Sequence, residues 1–599
     1  MTPKEFYTTH LTDAEKQISD LQKKISTNSA LRLVSFLSAL ILFFVLIKFN
    51  TAFSIIISLS LLSFFIVLVQ KSLKLNFEKK RFEHIKLISI SELKAIQYDF
   101  NSFETGNDYH DGKHPFAADL DVFGQGSLFQ MLNRTVLKTG EIQLASWLKK
   151  PLLDKEPLLL RQQAIAELSQ SPYFMLQFRT TGMLSDTNVE DVEELKKWAK
   201  SSYGFIFKPI INTIRIACPI LLISSVVAGV FNSVYFDLAL YVFLFNFFLI
   251  GFRLKKYNEY HSKVSKHAGT LKKYYNLLSL IEKQEFKSEL LMQIKDNMHK
   301  SGDESVLALK KLERLISQFD NRTNFLAAIF LEGVLLWDLQ FIYHIEKWKK
   351  NHAGDIGQWF HSIADFDCLV SLGNYAYNYQ TTVNFPEFSE KVIITAKNIG
   401  HPSISAVNNV TNNFEIKNKG HFSIITGANM AGKSTFLRTI GVNMLLAMIG
   451  APVRAEEVSL TPMQLFTSMR TSDSLAKNES YFYAELARLK FLLDNLRVNN
   501  ETFIILDEIL KGTNSEDKQK GSYKVLESII HQKGTGIIAT HDLSLTKIEE
   551  QYPTQISNHC FEVEINNAEI NFDYKLYDGV TQKMNALLLM QQMGIIESI

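Results

Sequence analysis

Cysteine is scarce in this chain: three in 599 residues, Cys218, Cys368 and Cys560. They stand far apart, at no metal-ligand spacing, so neither a disulfide framework nor a cysteine-built metal site can be drawn from them. Net charge is scarce too. Sixty-four Lys and Arg against 62 Asp and Glu leave +2, which gives no global electrostatic reason to bind nucleic acid. No low-complexity stretch and no repeat of solenoid period is present. A chain of this length is expected to hold several domains.

Charge is also missing locally, in long runs. Hydrophobic residues make up 46% and the chain has 44 Phe, unevenly spread. Residues 33–47 and 52–69 are nearly uncharged and are separated by Lys48-Phe-Asn-Thr51; 216–231 and 238–252 form a second such pair. A spanning helix needs about 20 mainly apolar residues, with a lower limit near 17. The strict runs sit near or below that limit, and flanking Phe49, 209–213, Val234 and Tyr235 extend them. The first pair lies too far in for a signal peptide and lacks a cleavage pattern. Buried helices of a soluble domain are the other alternative, but helices apolar on every face are unusual there. Two membrane hairpins are therefore expected, at 31–70 and 209–253, with Arg215 in the second able to snorkel.

Basic residues flank both pairs on one side only. Lys16, Lys23, Lys24 and Arg32 precede the first pair, and Lys71, Lys74, Lys79, Lys80, Arg81 and Lys86 follow it; Lys196, Lys197, Lys200 and Lys208 precede the second, and Arg253, Lys255, Lys256, Lys263 and Lys266 follow. The positive-inside rule then predicts four spans with both termini and the bulk of the chain cytosolic, in the inner or plasma membrane if the source is bacterial. Anionic membrane lipid is the simplest partner for these flanks.

The last third carries the chemistry. Gly427-Ala428-Asn429-Met430-Ala431-Gly432-Lys433-Ser434-Thr435 fits G-x-x-x-x-G-K-[ST], a phosphate-binding loop. Residues 422–425 before it read as a short buried strand and 436–448 after it as a helix. The glycines let backbone N–H groups turn toward phosphate oxygens, and the helix N-terminus adds positive potential. Lys433 is expected to reach the β/γ phosphates of ATP and Ser434 to ligate Mg²⁺. Thr502-Phe-Ile-Ile-Leu-Asp507-Glu508 reads as an apolar strand ending in two acids, Asp507 for the Mg²⁺ and Glu508 for the attacking water. Residues 536–540 form a further strand before His541, a residue that can sense the γ-phosphate or simply cap or pack.

Together with Asp507-Glu-Ile-Leu-Lys-Gly512-Thr513-Asn-Ser-Glu-Asp517 and Ala539-Thr540-His541, the loop resembles the ATPase of the MutS mismatch-repair family. Ser480-Tyr-Phe482-Tyr-Ala-Glu485 resembles that family's signature S-x-F-x-x-E. Asn398-Ile-Gly-His401-Pro402 and Tyr574-Lys-Leu-Tyr-Asp-Gly579 resemble the start and final strand of its ATPase domain, and Met593-Gly594-Ile595 its closing segment. More weakly, 114–129, 147–152, 161–168 and 363–372 resemble its helical core domain. The resemblance implies a helical core or lever followed by an ABC-like α/β ATPase domain, which with the helical membrane hairpins makes a multidomain α + α/β chain. The expected divisions are 1–30 (polar helix), 31–70 (hairpin), 71–113 (juxtamembrane), 114–208 (core), 209–253 (hairpin), 254–390 (long amphipathic core helices) and 391–599 (ATPase). A capped helix start is expected near Asp154, and Val306, Leu307, Leu309, Leu312, Leu315 and Ile316 form an apolar stripe on a helix over 305–319.

The same resemblance implies catalytic roles for Glu508, His541 and Lys433, phosphate contacts from residues 427–435, and Mg²⁺ at Ser434 and Asp507. It also implies a nucleotide sandwiched between two copies, with Ser480 reaching the opposite subunit's γ-phosphate and Gly512-Thr513 at the seam. One phosphate loop per chain then requires a homodimer. Asn478 stands where the family usually has glycine, and Glu479 adds a negative charge beside it. Membrane sequence occupies the region before residue 114, and the family's mismatch-reading and connector domains have no counterpart there. The second hairpin interrupts the core where the family has a DNA clamp. Two functions follow: a membrane-anchored MutS-like ATPase that still handles DNA, or a membrane mechanochemical ATPase without a DNA role. A transporter is weaker, because the spans offer little polar beyond Arg215, Asp237 and Asn246.

Overall fold

The computed structural model describes residues 1–184, 189–298, 305–323, 325–428, 430–469, 481–498, 501–511, 513–566 and 569–581. Asn429, Asn478, Glu479, Ser480, Gly512 and the segment 593–595 lie outside the described residues.

The chain begins with two long helices, Pro3–Leu46 and Thr51–Ile96. Thr2 and Glu5 cap the first reciprocally, and the Asn50 side chain accepts the Phe53 N–H at the start of the second. Lys86 pairs with Glu15, Asn28 Nδ2 donates to Leu68 O, and Ser54 Oγ donates to Phe43 O, so the helices run antiparallel. The buried positions of the first include Tyr7, Ala14, Leu21, Asn28 and Ser35, one every seven residues. From Ala14 on that is a coiled-coil seam, in which Ala14, Asn28 and Ser35 are small or polar. A helix of 44 residues is about 66 Å long, so the apolar run 33–47 occupies only its far part. The expected polar helix, hairpin and juxtamembrane helix are thus one continuous stalk.

The foot of the stalk is set into the helical domain. Glu92 is fully buried and its carboxylate meets Arg134 Nε at 2.8 Å, Arg179 Nη1 at 2.7 Å and Asn378 Nδ2 at 2.7 Å. Tyr379 Oη donates to Ala95 O, Tyr7 Oη to Asn374 Oδ1, and the Phe6 ring meets Tyr377 edge-on. Arg134, Arg179 and the helix Ile356–Asn378 belong to the helical domain, so this socket ties the two long helices to it at several points.

The helical domain has the helix Lys155–Ser169 after Asp154, although the Asp154 side chain makes no capping hydrogen bond, and the expected helix Ser305–Phe319. Leu307 departs from the expected stripe and is 54% exposed, because it lies about 200° around the helix from Leu309. The second pair of apolar runs forms helices Pro209–Gly229 and Val234–Gly251. These two and the stalk helices are four helices long and apolar enough to cross a membrane by length and composition. Arg215 turns toward the helix Trp337–His352: it donates to Gln340 Oε1 at 2.6 Å and Asn212 Oδ1 at 2.9 Å and lies 3.9 Å above the Tyr343 ring. The region 254–390, expected to be long amphipathic helices, departs from that at the helix Phe325–Leu335, whose sequence is apolar but for Glu332.

The last part is an α/β domain with strands β1 (Glu387–Phe388), β2 (Ile394–Ile399), β3 (Asn412–Ile416), β4 (Phe422–Gly427), β5 (Glu457–Leu460), β6 (Gln464–Ser468), β7 (Thr502–Asp507), β8 (Thr535–Ala539), β9 (Ile556–Asn566) and β10 (Glu569–Asp578). It opens at β1, a few residues before the expected boundary, because β1 pairs with β5. The main sheet has the order β10-β9-β4-β8-β7-β6, parallel except for β10, and the smaller sheet the order β1-β5-β2-β3. Successive side chains of a strand point to opposite faces. Accordingly Phe503 and Ile505 join the core shared with the helical domain, while Ile504 and Leu506 pack with Leu489, Leu492 and Leu526 on the other side. Both faces are covered, which is why these strands read as continuous apolar runs.

Candidate functional site

The phosphate-loop sequence connects β4 to the helix Lys433–Met448. Gly427 (φ 150°) and Gly432 (φ 100°) take left-handed backbone, and Gly427 has the Phe561 carbonyl so close that a Cβ would meet it at 2.8 Å. Glycine is required there on both counts. Lys433 is buried, and its Nζ donates to Gly427 O and Ala428 O, each at 2.8 Å. Burial pulls the Lys433 ammonium below its ordinary value, with Glu508 and Asp507 opposing. The loop thus curls round a cation whose present partners are neutral carbonyls, the arrangement an incoming phosphate can take over.

β7 runs next but one to β4 and brings Asp507 to the loop. Burial raises its carboxyl above the usual range, and the Ser434 hydroxyl, Lys511 and Lys433 oppose that rise. Ser434 and Asp507, the two expected Mg²⁺ ligands, are therefore near neighbours. Both are hard oxygen donors, and Mg²⁺ commonly takes one or two protein ligands and fills the rest with water and phosphate. Among the described residues no group of three or more His, Cys, Asp or Glu forms a metal cage, and a site of this kind needs none. The residues present fit Mg²⁺ with a nucleotide.

Glu508 follows with φ 52°, and its N–H donates to Ala539 O at 2.9 Å. Its Oε1 lies 3.1 Å from His541 Nδ1. Burial acts to raise this carboxyl, but the His541 hydrogen bond and charge, with Lys511 and Lys433, outweigh it and hold Glu508 below its ordinary value. His541 thus reaches the carboxylate that faces the cavity, and its other ring nitrogen is 3.5 Å from Lys518 Nζ.

A cavity of about 640 Å³ opens beside the loop. Met430, Gly432, Lys433, Ser434, Thr435 and Glu508 line its phosphate end. The far end is formed by His401, Ile404, Val410 and Tyr574. Sequence reasoning gave these last four no role in the site. They lie on separate segments, one before and one well after the loop, with no local pattern to point to them. Burial pushes the His401 imidazole down to about 4, so it is neutral at neutral pH. Tyr574 packs against Gly432, and its carbonyl accepts Asn412 Nδ2 at 3.1 Å. An aromatic ring, a neutral imidazole and aliphatic side chains suit a flat base.

Glu485, on the helix Tyr481–Val498, has a local function that its sequence pattern alone did not specify. Its carboxylate accepts Leu510 N–H at 2.5 Å and Lys511 N–H at 3.2 Å. Leu510 is left-handed (φ 61°), like Glu508. Two non-glycine residues in that conformation need external restraint, and Glu485 supplies it. One turn on, Arg488 donates to Thr467 O, Pro115 O and the buried carboxylate of Asp119, tying this helix to the helical domain. Ser480, Asn429 and Gly512 lie outside the described residues.

Known proteins show the same two regions. Residues 116–373 match the model of MutS domain III, and residues 423–599 match that of MutS domain V. MutS protein homolog 4 of Homo sapiens is 36% identical over 210 residues, 33% of this chain and 22% of that protein. The DNA mismatch repair protein MutS of Thermotoga maritima is 31% identical over 249 residues, 41% of this chain and 31% of that protein. The matched stretch thus spans less than a third of either relative. The second apolar hairpin falls inside the domain III match, and the stalk falls outside both.

Proposed function

We propose that this chain, whose domain III and domain V matches support the MutS family, is a membrane-anchored ATPase that turns nucleotide binding and hydrolysis into motion of its helical domain. The observation that carries this reading is one cavity lined by Lys433, Ser434 and Glu508, with Asp507 beside it at the end of β7. In it Lys433 leaves its two carbonyls for phosphate, and Ser434 and Asp507 hold Mg²⁺. The bound ion offsets phosphate charge. Glu508 orients and deprotonates water, with His541 holding its carboxylate. His401 and Tyr574 flank the base. A second copy completes the site through Ser480, so the working form is a homodimer closed by ATP.

A route from the cavity to the stalk supports the mechanical part. Arg454 Nη1 donates to Ile404 O at the cavity wall and to Tyr98 Oη, two residues beyond the second stalk helix. A shift of the base-binding wall is thereby felt at the foot of the stalk. The four apolar helices are read as spans, with both termini and the ATPase domain on the cytosolic side.

The relatives are named for DNA mismatch repair, so DNA binding is the second reading. A mismatch reader bends DNA and inserts an apolar wedge, whereas here residues 1–96 form the stalk and 209–251 the second hairpin. DNA affinity, where present, is expected to be nearly equal for paired and mismatched duplexes. A preference above about tenfold, roughly 1.4 kcal/mol, at moderate salt would favour repair. The ATPase reading is tested directly. Lys433→Ala is expected to lose nucleotide binding, and Glu508→Gln to bind ATP while hydrolysing it slowly. Parental turnover by Glu508→Gln would remove the role given to that residue.

A further inference from the structure

The helix Phe325–Leu335 has no part in the functional reading above. Its sequence, Phe-Leu-Ala-Ala-Ile-Phe-Leu-Glu-Gly-Val-Leu, is apolar apart from Glu332. It packs on both helices of the second hairpin. Asn246, wholly buried on one of them, donates to Gly333 O at 2.8 Å, and Gly333 leaves no room for a Cβ against the Phe243 ring. Facing outward, Phe330 is 64% exposed. Phe245 and Phe248 on the hairpin are exposed as well.

We infer that this helix is a re-entrant element, entering the bilayer beside the second hairpin and leaving on the same side, with lipid acyl chains as the partner of its outer face. The inference rests on the membrane reading of that hairpin. Eleven residues of helix span about 16 Å, about half of a 30 Å hydrocarbon core. The two flanks meet: Arg322 Nη2 lies 2.8 Å from Asp338 Oδ2. Arg322 also donates to Tyr257 O and Asn258 Oδ1, just past the hairpin's return. A crossing segment would put residues 322 and 338 on opposite sides of the membrane. Instead the chain bends by 75° after Leu335, through left-handed Leu336 (φ 51°), into the helix Trp337–His352. Glu332, the one charged side chain, is turned inward, where its carboxylate accepts the Asp338 N–H at 3.3 Å. A fifth crossing would also part the ATPase domain from the stalk foot, which Arg454 and Tyr98 join.

The test uses the full chain in phosphatidylcholine–phosphatidylglycerol vesicles, with Cys218, Cys368 and Cys560 changed to serine. Spin labels are placed by Phe330→Cys, by Phe245→Cys as the hairpin reference and by Leu307→Cys as the aqueous reference. Labels at 330 and 245 are expected to collide freely with oxygen and to lose nearly all collision with an aqueous nickel complex, unlike 307. Asn321→Cys and Lys347→Cys are expected to react with an impermeant maleimide from the same side. An aqueous label at 330 with a lipid-facing label at 245 overturns the inference and leaves the membrane reading intact. Aqueous labels at both positions overturn the membrane reading, and the inference with it. Reaction of 321 and 347 from opposite sides makes the segment a crossing and overturns re-entrance. If the cysteine-free chain fails to fold, Phe330→Trp in the otherwise native chain is read by brominated lipid: added quenching over the parent is expected, and none overturns the inference.

Discussion

Glu508 sits in left-handed backbone between Asp507, at the end of β7, and a loop pinned by Glu485. Neighbouring carboxylates therefore have different environments: burial leaves Asp507 raised, while His541 and two lysines hold Glu508 down. Removing His541 takes away the hydrogen bond that favours the Glu508 carboxylate, so the Glu508 pKa rises. Glu508 must be ionised to act as a base. The acid limb of the ATP hydrolysis profile in His541→Ala is therefore expected to move to higher pH, with the larger loss of rate on the acid side. A kcat–pH series settles this, and an unmoved acid limb would show that His541 does not tune Glu508. Glu485→Ala is expected to free the loop after β7 and lower kcat more than it raises KM, because the nucleotide's own contacts are left in place. An unchanged kcat would mean the loop holds its shape without that carboxylate.

The stalk is an element whose seam includes small and polar residues and whose foot is set by charge. Glu92 faces Arg134 and Arg179 with no exposure. Burial tends to raise its carboxyl, but the two guanidiniums and the hydrogen bonds from Arg179 and Asn378 outweigh it and hold it below its ordinary value. A depressed carboxyl contributes stability that is fully present above the unfolded pKa and is lost as pH falls through the folded value. Glu92→Gln leaves two buried cations short of a counter-charge, and breaking a buried pair costs about 3 to 5 kcal/mol. The variant is expected to unfold at lower denaturant than the parent at pH 7, and the difference should shrink toward acid pH. Urea titrations of the detergent-solubilised chain at several pH values measure both. Equal midpoints at pH 7 would mean the socket contributes nothing net.

For the whole molecule, the proposed arrangement is a cytosolic engine standing on two hairpins. Cysteines introduced at Asn50 and Asn232, in the two tight turns, are expected to react with an impermeant reagent from the outer face, and one at Ser201 from the cytosolic face alone. Extraction of the chain by carbonate or high salt would defeat the membrane arrangement. Trapping ATP with Glu508→Gln is expected to raise the dimer fraction in light scattering. A chain that stays monomeric with ATP bound, in detergent and in bilayers, would exclude the sandwich.

Local pattern was enough wherever one segment carries its own physics. The loop 427–435 must bend at its glycines, the run 502–507 is apolar because both sheet faces are covered, and the runs near 33–69 and 209–252 have no polar face to put in water. Those features located the phosphate loop, the acid pair and the four long apolar helices from sequence. Three things required the tertiary structure. The coiled-coil seam of the stalk escapes a search for apolar heptads, because its seam includes Ala14, Asn28 and Ser35. The helix Phe325–Leu335 is too short to register as a span, and its character comes from the hairpin it packs on. Tyr574 joins the loop from far down the chain, on β10, His401 from the segment after β2, and Arg454 meets Tyr98 across 356 residues. Sequence determines what each segment needs to bury or bind; which distant partners meet those needs is decided by strand order and helix packing.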